Sequence, residues 1–88
     1  MKIEITKKFG KQVSKSADSA TKRKLHEIIS QIQNANTLKE IPKLKKLKGY
    51  KHTYRIRLGE YRIGIHIQDN TIIFAAFDHR SDIYKYFP

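Results

Sequence analysis

The 88-residue sequence contains no cysteine, and no apolar run in it approaches the roughly 20 residues that span a bilayer. Without cysteine there can be no disulfide and no thiolate metal site, so we expect a reducing, cytoplasmic setting. The first ten residues, MKIEITKKFG, also lack the apolar core of a signal peptide. These absences argue against a secreted or membrane-spanning protein.

Acidic residues are also scarce. Eight Asp and Glu stand against nineteen Lys and Arg, which gives a formal net charge of +11. Such a charge attracts polyanions, so nucleic acid, an acidic protein or an anionic membrane surface are the candidate partners. The alternative is a basic surface without a partner. A chain of this length predicts one domain with a core near the marginal size.

The first half of the chain predicts a strand followed by two helices. Residues 2–6, KIEIT, alternate as a short strand does, and Phe9 and Val13 are spaced for a short helix. A longer helix is predicted from an apolar stripe at i, i+3, i+4 and i+7, after possible caps between Ser16 and Ser19 and before a stop in QNANT. That stripe consists of Leu25, Ile28, Ile29 and Ile32. The two helices should form an antiparallel pair.

The second half predicts a three-stranded antiparallel meander. Residues 38–51 are rich in lysine, with Pro42 as a helix breaker, and Leu44 and Leu47 are expected to anchor this segment to the core. A period of two follows in TYRIRL, YRIGIHIQ and TIIFAAFD, which are separated by the turn dipeptides Gly59-Glu60 and Asp69-Asn70. We therefore predict one α+β domain over residues 1–88, with the meander packed on the helices and the first strand at its edge.

The first predicted hairpin places arginines together on one face of the sheet. A two-residue turn at Gly59-Glu60 sets Arg57 opposite Arg62, Arg55 opposite Gly64, and Thr53 opposite His66. The other face should carry an apolar wall that ends in Phe74 and Ala76. Opposed arginines repel unless an anion lies between them, and guanidinium groups match phosphate oxygens bidentately. Gly64 should leave space in this phosphate cradle. The alternative is that the arginines only keep an exposed face soluble.

The order of these motifs resembles the RelE/ParE superfamily of bacterial type II toxins. The resemblance rests on Leu-Lys-Gly at 47–49, the YRIR and GEYRI hairpin, and the closing HRSDIYKY, and it covers nearly the whole chain. It is nearest to the RelE-like mRNA interferases. It implies a single RelE-like toxin domain, neutralised by a cognate antitoxin, that enters the ribosomal A site and cuts mRNA there without a metal or cofactor.

The resemblance also suggests catalytic residues. Arg55 and Arg57 fall where RelE has two catalytic lysines, Arg62 falls on the arginine of its GYR motif, and Arg80 is near its later arginine. Tyr84 matches its terminal tyrosine. Arginine stabilises a crowded phosphate, but its pKa above about 12 makes it a poor proton carrier.

Histidine is a better proton carrier than arginine near neutral pH. We therefore expect His79 to act as general acid or base, with Tyr84 as a competing base or as a platform for an mRNA base. Glu60 should be structural. Asp78 and Asp82 are expected to hold Arg80 or a histidine, and two carboxylates alone make no metal site. The predicted catalytic set is Arg57, Arg62, His79, Arg80 and Tyr84.

A second set of residues is predicted to bind RNA phosphates. His66 and Arg55 lie on the predicted arginine face, and the lysine-rich segment suits ribosomal RNA, although it is equally well explained as a solvated loop. The predicted phosphate-binding set is Arg55, His66, Lys43, Lys45, Lys46, Lys48 and Lys51.

Three functions are compatible with the sequence. A ribosome-dependent mRNA endoribonuclease is favoured by the arginines and the terminal tyrosine. A ParE-like inhibitor of DNA gyrase would share the fold and lack the nuclease residues. A catalytically inactive basic RNA-binding module would explain why arginine replaces both lysines.

Overall fold

Two helices lie on one side of a five-stranded mixed sheet in the computed structural model, which describes residues 1–88. The strands are β1 (Lys2–Ile5), β2 (Leu44–Lys46), β3 (Thr53–Leu58), β4 (Tyr61–Gln68) and β5 (Thr71–His79), and the helices are α1 (Lys7–Ser16) and α2 (Ser19–Asn34). Single 3₁₀ turns occupy Leu38–Glu40 and Ile83–Lys85. The sheet order is β1-β5-β4-β3-β2. The predicted α+β fold is confirmed.

Both helices begin at side chains that cap free backbone amides. The Thr6 hydroxyl accepts a hydrogen bond from the Phe9 amide at 3.2 Å at the start of α1. The Asp18 carboxylate accepts one from the Thr21 amide at 2.7 Å at the start of α2, within the predicted cap region. These bonds satisfy donors that the helix itself leaves unpaired, and they explain why two helices form here instead of one.

The two hairpin turns have the geometry that their residues favour. Gly59 has φ +60°, and Asp69 and Asn70 have φ +50° and +62°, in the left-handed region that tight hairpins require. The β3–β4 register is the predicted one, with Arg57 opposite Arg62. Strand β1 lies at the edge of the sheet, as predicted, and it pairs in parallel with β5.

Strand β2 was not predicted. Its three residues pair antiparallel with β3, with Leu44 opposite Ile56 and Lys46 opposite Tyr54. The sequence shows two lysines after one leucine, which is too short for a recognisable alternation. Charged residues on a short outer strand are common, because they discourage pairing with other chains.

The main core fills the space between the helices and the sheet. Phe9 from α1 meets Phe74 and Phe77 edge to face, with ring centroids 5.2 and 6.1 Å apart. The prediction that Ala76 belongs to this wall is wrong. A bulge between Gly64 and Ile65 shifts the β4–β5 register, so that Phe77 enters the core and Ala76 turns to the opposite face.

A second, smaller core covers part of the opposite face. It consists of Ala76, Ile83 and Phe87, all buried, and is formed by the C-terminal segment folding back over β4 and β5. A Cβ built on Gly64 would lie 2.7 Å from two carbons of the Phe87 ring. The predicted open space at Gly64 is therefore absent, because Phe87 fills it.

This packing predicts opposite effects of alanine at two glycines. Gly64→Ala forces the buried Phe87 ring to move and should destabilise the fold by about 1–3 kcal/mol. Gly10→Ala meets no atom within 4 Å and lies inside α1, so it should stabilise by about 0.5–1 kcal/mol. Urea unfolding of both variants measures this. A Gly64→Ala protein as stable as the parent would contradict the packing of Phe87.

Candidate phosphate-binding site

One face of the sheet collects the basic side chains of three strands. Strand alternation and register put Arg55 and Arg57 of β3, Arg62 of β4 and Lys45 of β2 on the side opposite the helices. Lys45 pairs with Arg55, and Arg57 pairs with Arg62. We call these four residues the arginine face.

Arg62 is the buried member of this face, with only 8% of its surface exposed. Its Nη1 donates hydrogen bonds to the carbonyl oxygens of Gly59 at 2.9 Å and Tyr61 at 2.8 Å, which fix the side chain against the β3–β4 turn. The Nε and Nη2 atoms have no protein partner and are not buried. Arg62 therefore presents free donors to solvent from a fixed position.

Like charges surround the Arg62 guanidinium. Burial lowers the pKa of Arg62, and the nearby charges of Arg57, Arg55 and Arg80 lower it further, while Tyr84 acts in the opposite direction. An arginine remains protonated despite such a shift. The repulsion between these guanidinium groups therefore leaves a positive electrostatic potential at their surface. A phosphate in contact with them would lower this potential.

The C-terminal segment brings Arg80 and Tyr84 to the same region. The Arg80 Nε lies 2.8 Å from a Glu60 carboxylate oxygen, and the Arg80 amide donates to the Glu60 carbonyl at 2.8 Å. The Arg80 side chain pairs with Glu60 and not with Asp78 or Asp82, and of these two carboxylates only Asp78 contacts a histidine, through the His79 backbone amide. Glu60 thus positions Arg80, in keeping with the structural role predicted for it.

Tyr84 is an exposed aromatic residue at the edge of this site. Its side chain is 48% exposed, whereas the preceding Ile83 is 1% exposed and anchors the turn. Tyr84 is close enough to influence the pKa of Arg62, and its hydroxyl forms no hydrogen bond within the protein. A ring in this position is free to stack on a nucleic-acid base.

His79 lies on the other side of the sheet. It pairs with Tyr61, whose side chain faces the helices, and the two rings meet edge to face at 5.9 Å. The Ser81 amide donates to His79 Nδ1 at 3.1 Å, which leaves the proton of the neutral ring on Nε2. The structure therefore does not bring His79 together with Arg57 and Arg62.

The other predicted phosphate-binding residues are dispersed. His66 shares the arginine side, but its Nδ1 lies 3.2 Å from the Thr53 hydroxyl and its ring packs against Phe87. Lys46 faces the helix side of the sheet through its pairing with Tyr54, opposite to Lys45. All five predicted lysines are exposed, namely Lys43, Lys45, Lys46, Lys48 and Lys51. Only Lys45 belongs to the arginine face.

A groove that adjoins the site was not predicted. A cleft of about 360 Å³ between α2 and the end of β3 is lined by Lys24, Gln31, Lys43 and Arg57, among others. Lys24 lies on α2, and only the packing of α2 beside β3 brings it near Arg57. No local spacing in the sequence could reveal this.

Two further observations concern metals and membranes. No group of three or more His, Asp or Glu side chains is placed to share a metal ion. Neither helix is long and apolar enough to cross a membrane.

Comparison with known proteins gives consistent matches. The sequence model of the family described as "ParE toxin of type II toxin-antitoxin system, parDE" matches residues 3–84. Toxin RelE3 of Methanocaldococcus jannaschii is 43% identical over the full length of both chains.

Solved structures agree with these matches. The toxin in the RelB-RelE antitoxin-toxin complex from Methanococcus jannaschii is 41% identical, with a TM-score of 0.80 over 96% of this chain and 98% of that one. The archaeal RelE-RelB complex from Pyrococcus horikoshii gives 25% identity and a TM-score of 0.73 over 92% and 96%.

The fold, the basic face and these matches define the toxin component of a type II toxin-antitoxin system. More particularly, the chain belongs to the RelE family within the RelE/ParE superfamily of toxins, which confirms the resemblance seen in the sequence.

The opposed arginines predict that an anion stabilises the fold. Inorganic phosphate should raise the melting temperature of the parent protein more than chloride does at equal ionic strength. Arg57→Gln should stabilise the protein at low salt by about 0.5 kcal/mol, because it removes a like-charge pair across the strands. The same variant should lose most of the effect of phosphate.

Arg23→Gln is the matched control, since Arg23 is exposed on α2 and lies outside the arginine face. It removes the same charge and should keep the response to phosphate. Equal responses in the two variants would show that net charge alone is responsible.

Proposed function

We propose that this toxin is a ribosome-dependent endoribonuclease that cuts mRNA in the ribosomal A site. The observation that carries the proposal is the grouping of Arg57, Arg62 and Arg80 around solvent-facing donors of Arg62, with Tyr84 beside them. Arginines supply the charge that a crowded phosphate requires, and an exposed aromatic ring supplies a stacking surface. Full-length identity of 43% to a RelE toxin supports the same activity.

The proposed reaction is an internal displacement on the RNA backbone. The ribose 2′-oxygen forms a bond to the adjacent phosphorus, the bond from phosphorus to the 5′-oxygen breaks, and the products carry a 2′,3′-cyclic phosphate and a 5′-hydroxyl. The 2′-hydroxyl loses a proton and the departing oxygen gains one, so no metal or cofactor is needed for balance. Arg57, Arg62 and Arg80 stabilise the charge on the phosphate in this scheme.

Tyr84 and His79 are the two predicted proton carriers, and we assign proton transfer to Tyr84. The proximity of Tyr84 to Arg62 supports Tyr84, whereas the position of His79 beside Tyr61 speaks against a direct role. Lys45 and Arg55 extend the basic surface along β2 and β3, where they would bind RNA phosphates in the ribosome. His66 and the remaining predicted lysines would act at the periphery.

The partner that neutralises the toxin is proposed to be a cognate antitoxin. The two similar solved toxins are in complexes with RelB. A formal charge of +11 suits a partner that supplies acidic residues. The proposed setting is the cytoplasm, and residues 1–88 are proposed to act as one toxin domain.

Inhibition of DNA gyrase is the second candidate function. The observation that favours it is the match over residues 3–84 to a family described as ParE toxins. The nuclease would produce new mRNA 5′ ends in a cell, whereas gyrase inhibition would produce a DNA-damage response. A catalytically inactive RNA-binding module, the third possibility from the sequence, would produce neither.

Induced expression followed by mapping of mRNA 5′ ends tests the proposal. We expect new in-frame ends on translated messages and none on untranslated ones. Arg62→Ala should abolish growth arrest and reduce cleavage by about 10²-fold or more, because a preorganised positive group is lost. Arg23→Ala, matched in charge, should remain toxic. Intact mRNA together with a DNA-damage response would replace the nuclease proposal with the gyrase one.

The proton carriers are separated by three substitutions. Tyr84→Ala should reduce cleavage by about 10²-fold or more, because it removes both the proton carrier and the stacking ring, whereas Tyr84→Phe keeps the ring and should lose only the proton-transfer contribution. His79→Gln should change cleavage by less than about threefold, whereas loss of a general acid or base costs about 10²–10⁴. Cleavage assays on stalled ribosomes measure all three. A full loss in His79→Gln with an active Tyr84→Ala would reverse the assignment.

A further inference from the structure

Asp78 occupies a position where it should neutralise the arginine face. It is the cross-strand partner of Arg62 in the β4–β5 register, and paired positions on adjacent strands share a face. An acidic residue directly opposite an arginine normally forms an ion pair. Yet the protein contains only two ion pairs between side chains, Arg80–Glu60 and Lys85–Asp82. The carboxylate of Asp78 is within 4 Å of no basic group.

Other donors occupy both oxygens of this carboxylate. The Asp78 Oδ1 accepts a hydrogen bond from the His79 amide at 2.7 Å, and Oδ2 accepts one from the Tyr86 hydroxyl at 2.8 Å. The first bond is local to the chain. The second comes from the C-terminal segment and depends on where that segment docks.

Tyr86 is itself held by helix α1. Its hydroxyl accepts a hydrogen bond from Gln12 Nε2 at 2.6 Å, and Gln12 Oε1 accepts one from the Phe77 amide at 3.0 Å. The Lys8 ammonium lies 4.2 Å from the centre of the Tyr86 ring. Partial burial and then the bond to Asp78 raise the pKa of Tyr86 to about 12, so its hydroxyl stays a donor at physiological pH.

We propose that Tyr86 is a positioning residue that holds the Asp78 carboxylate away from Arg62 and thereby keeps the arginine face free for a phosphate. The inference rests on the proposed function, in that the phosphate is that of RNA. The Tyr86 bond competes with an ion pair that would use the free Nε and Nη2 donors of Arg62. Without the bond, Asp78 turns to Arg62 and occupies the phosphate position.

A purely structural role is the alternative explanation. Tyr86 lies next to Phe87, so its loss could loosen the segment that covers Gly64. The two roles differ in how they respond to the charge of Asp78. A loosened segment stays loose when Asp78 becomes Asn, whereas competition for Arg62 disappears with that charge.

The test measures binding of a 2′-O-methyl RNA oligonucleotide, which cannot be cleaved, to four proteins at low salt. Tyr86→Phe should weaken binding by about three- to tenfold, the range expected from one added charge pair at a partly buried arginine. Asp78→Asn should bind at least as tightly as the parent. The double variant Tyr86→Phe, Asp78→Asn should recover the parental affinity. Each variant is first checked for the parental circular dichroism and melting behaviour.

Three outcomes would overturn the inference. These are unchanged affinity in Tyr86→Phe, an equal loss in the single and double variants, and a weaker binding by Asp78→Asn. A crystal structure of Tyr86→Phe provides a readout without RNA, since the inference requires the Asp78 carboxylate within ion-pair distance of Arg62. If that contact forms but the parent protein and all variants fail to bind the oligonucleotide, RNA binding by this face is wrong and the role of Tyr86 in holding Asp78 stands.

Discussion

The structure depends on one unfavourable pairing, Arg57 directly opposite Arg62 on the β3–β4 hairpin. Like charges at opposed positions cost a few tenths of a kcal/mol, whereas each large apolar side chain that becomes buried contributes about 1.5–3 kcal/mol. The same register buries Ile56 and Ile63 on the reverse face, where neither is exposed at all. A slip by one residue would separate the arginines but would expose these isoleucines. Burial of the isoleucines therefore holds the two arginines opposite each other despite their repulsion.

The C-terminal segment links this constraint to the shape of the site. Phe87 packs on Gly64 and covers the middle of β4 on this face, so Arg57 and Arg62 lie between the covered part and the Gly59-Glu60 turn. The same segment carries Tyr84, and it starts with Arg80, whose partner Glu60 belongs to that turn. Docking of the C-terminal segment on the sheet therefore also places these residues at the site.

The sequence predicted those features that depend on neighbouring residues. The hairpin turns, the β3–β4 register and the stripe of α2 follow from short-range rules, and the structure confirms them. Features set by distant contacts were missed. The bulge that turns Ala76 away from the core changes no local alternation, and the filling of Gly64 requires a residue 23 positions later in the chain.

The candidate site was predictable to a similar extent. The positions of Arg55, Arg57 and Arg62 on one face followed from the hairpin alone. The prediction that His79 belongs to the site rested on its adjacency to Arg80 in the sequence. Adjacent strand residues point to opposite faces, and the bulge decides which face each receives, so the sequence alone could not assign His79.

The distribution of acidic groups explains how so basic a face stays open. Glu60 in the β3–β4 turn and Asp78 opposite Arg62 adjoin this face, and each has another partner: Arg80 for Glu60, and the Tyr86 hydroxyl with the His79 amide for Asp78. Arg62 thus has no internal counter-ion, although it is buried and lies among three other arginines. Burying a charge without a counter-ion is costly, and such costs are concentrated at sites where the charge serves a ligand. The cost of burying Arg62 and the engagement of both carboxylates elsewhere support the proposal that this face binds an anion.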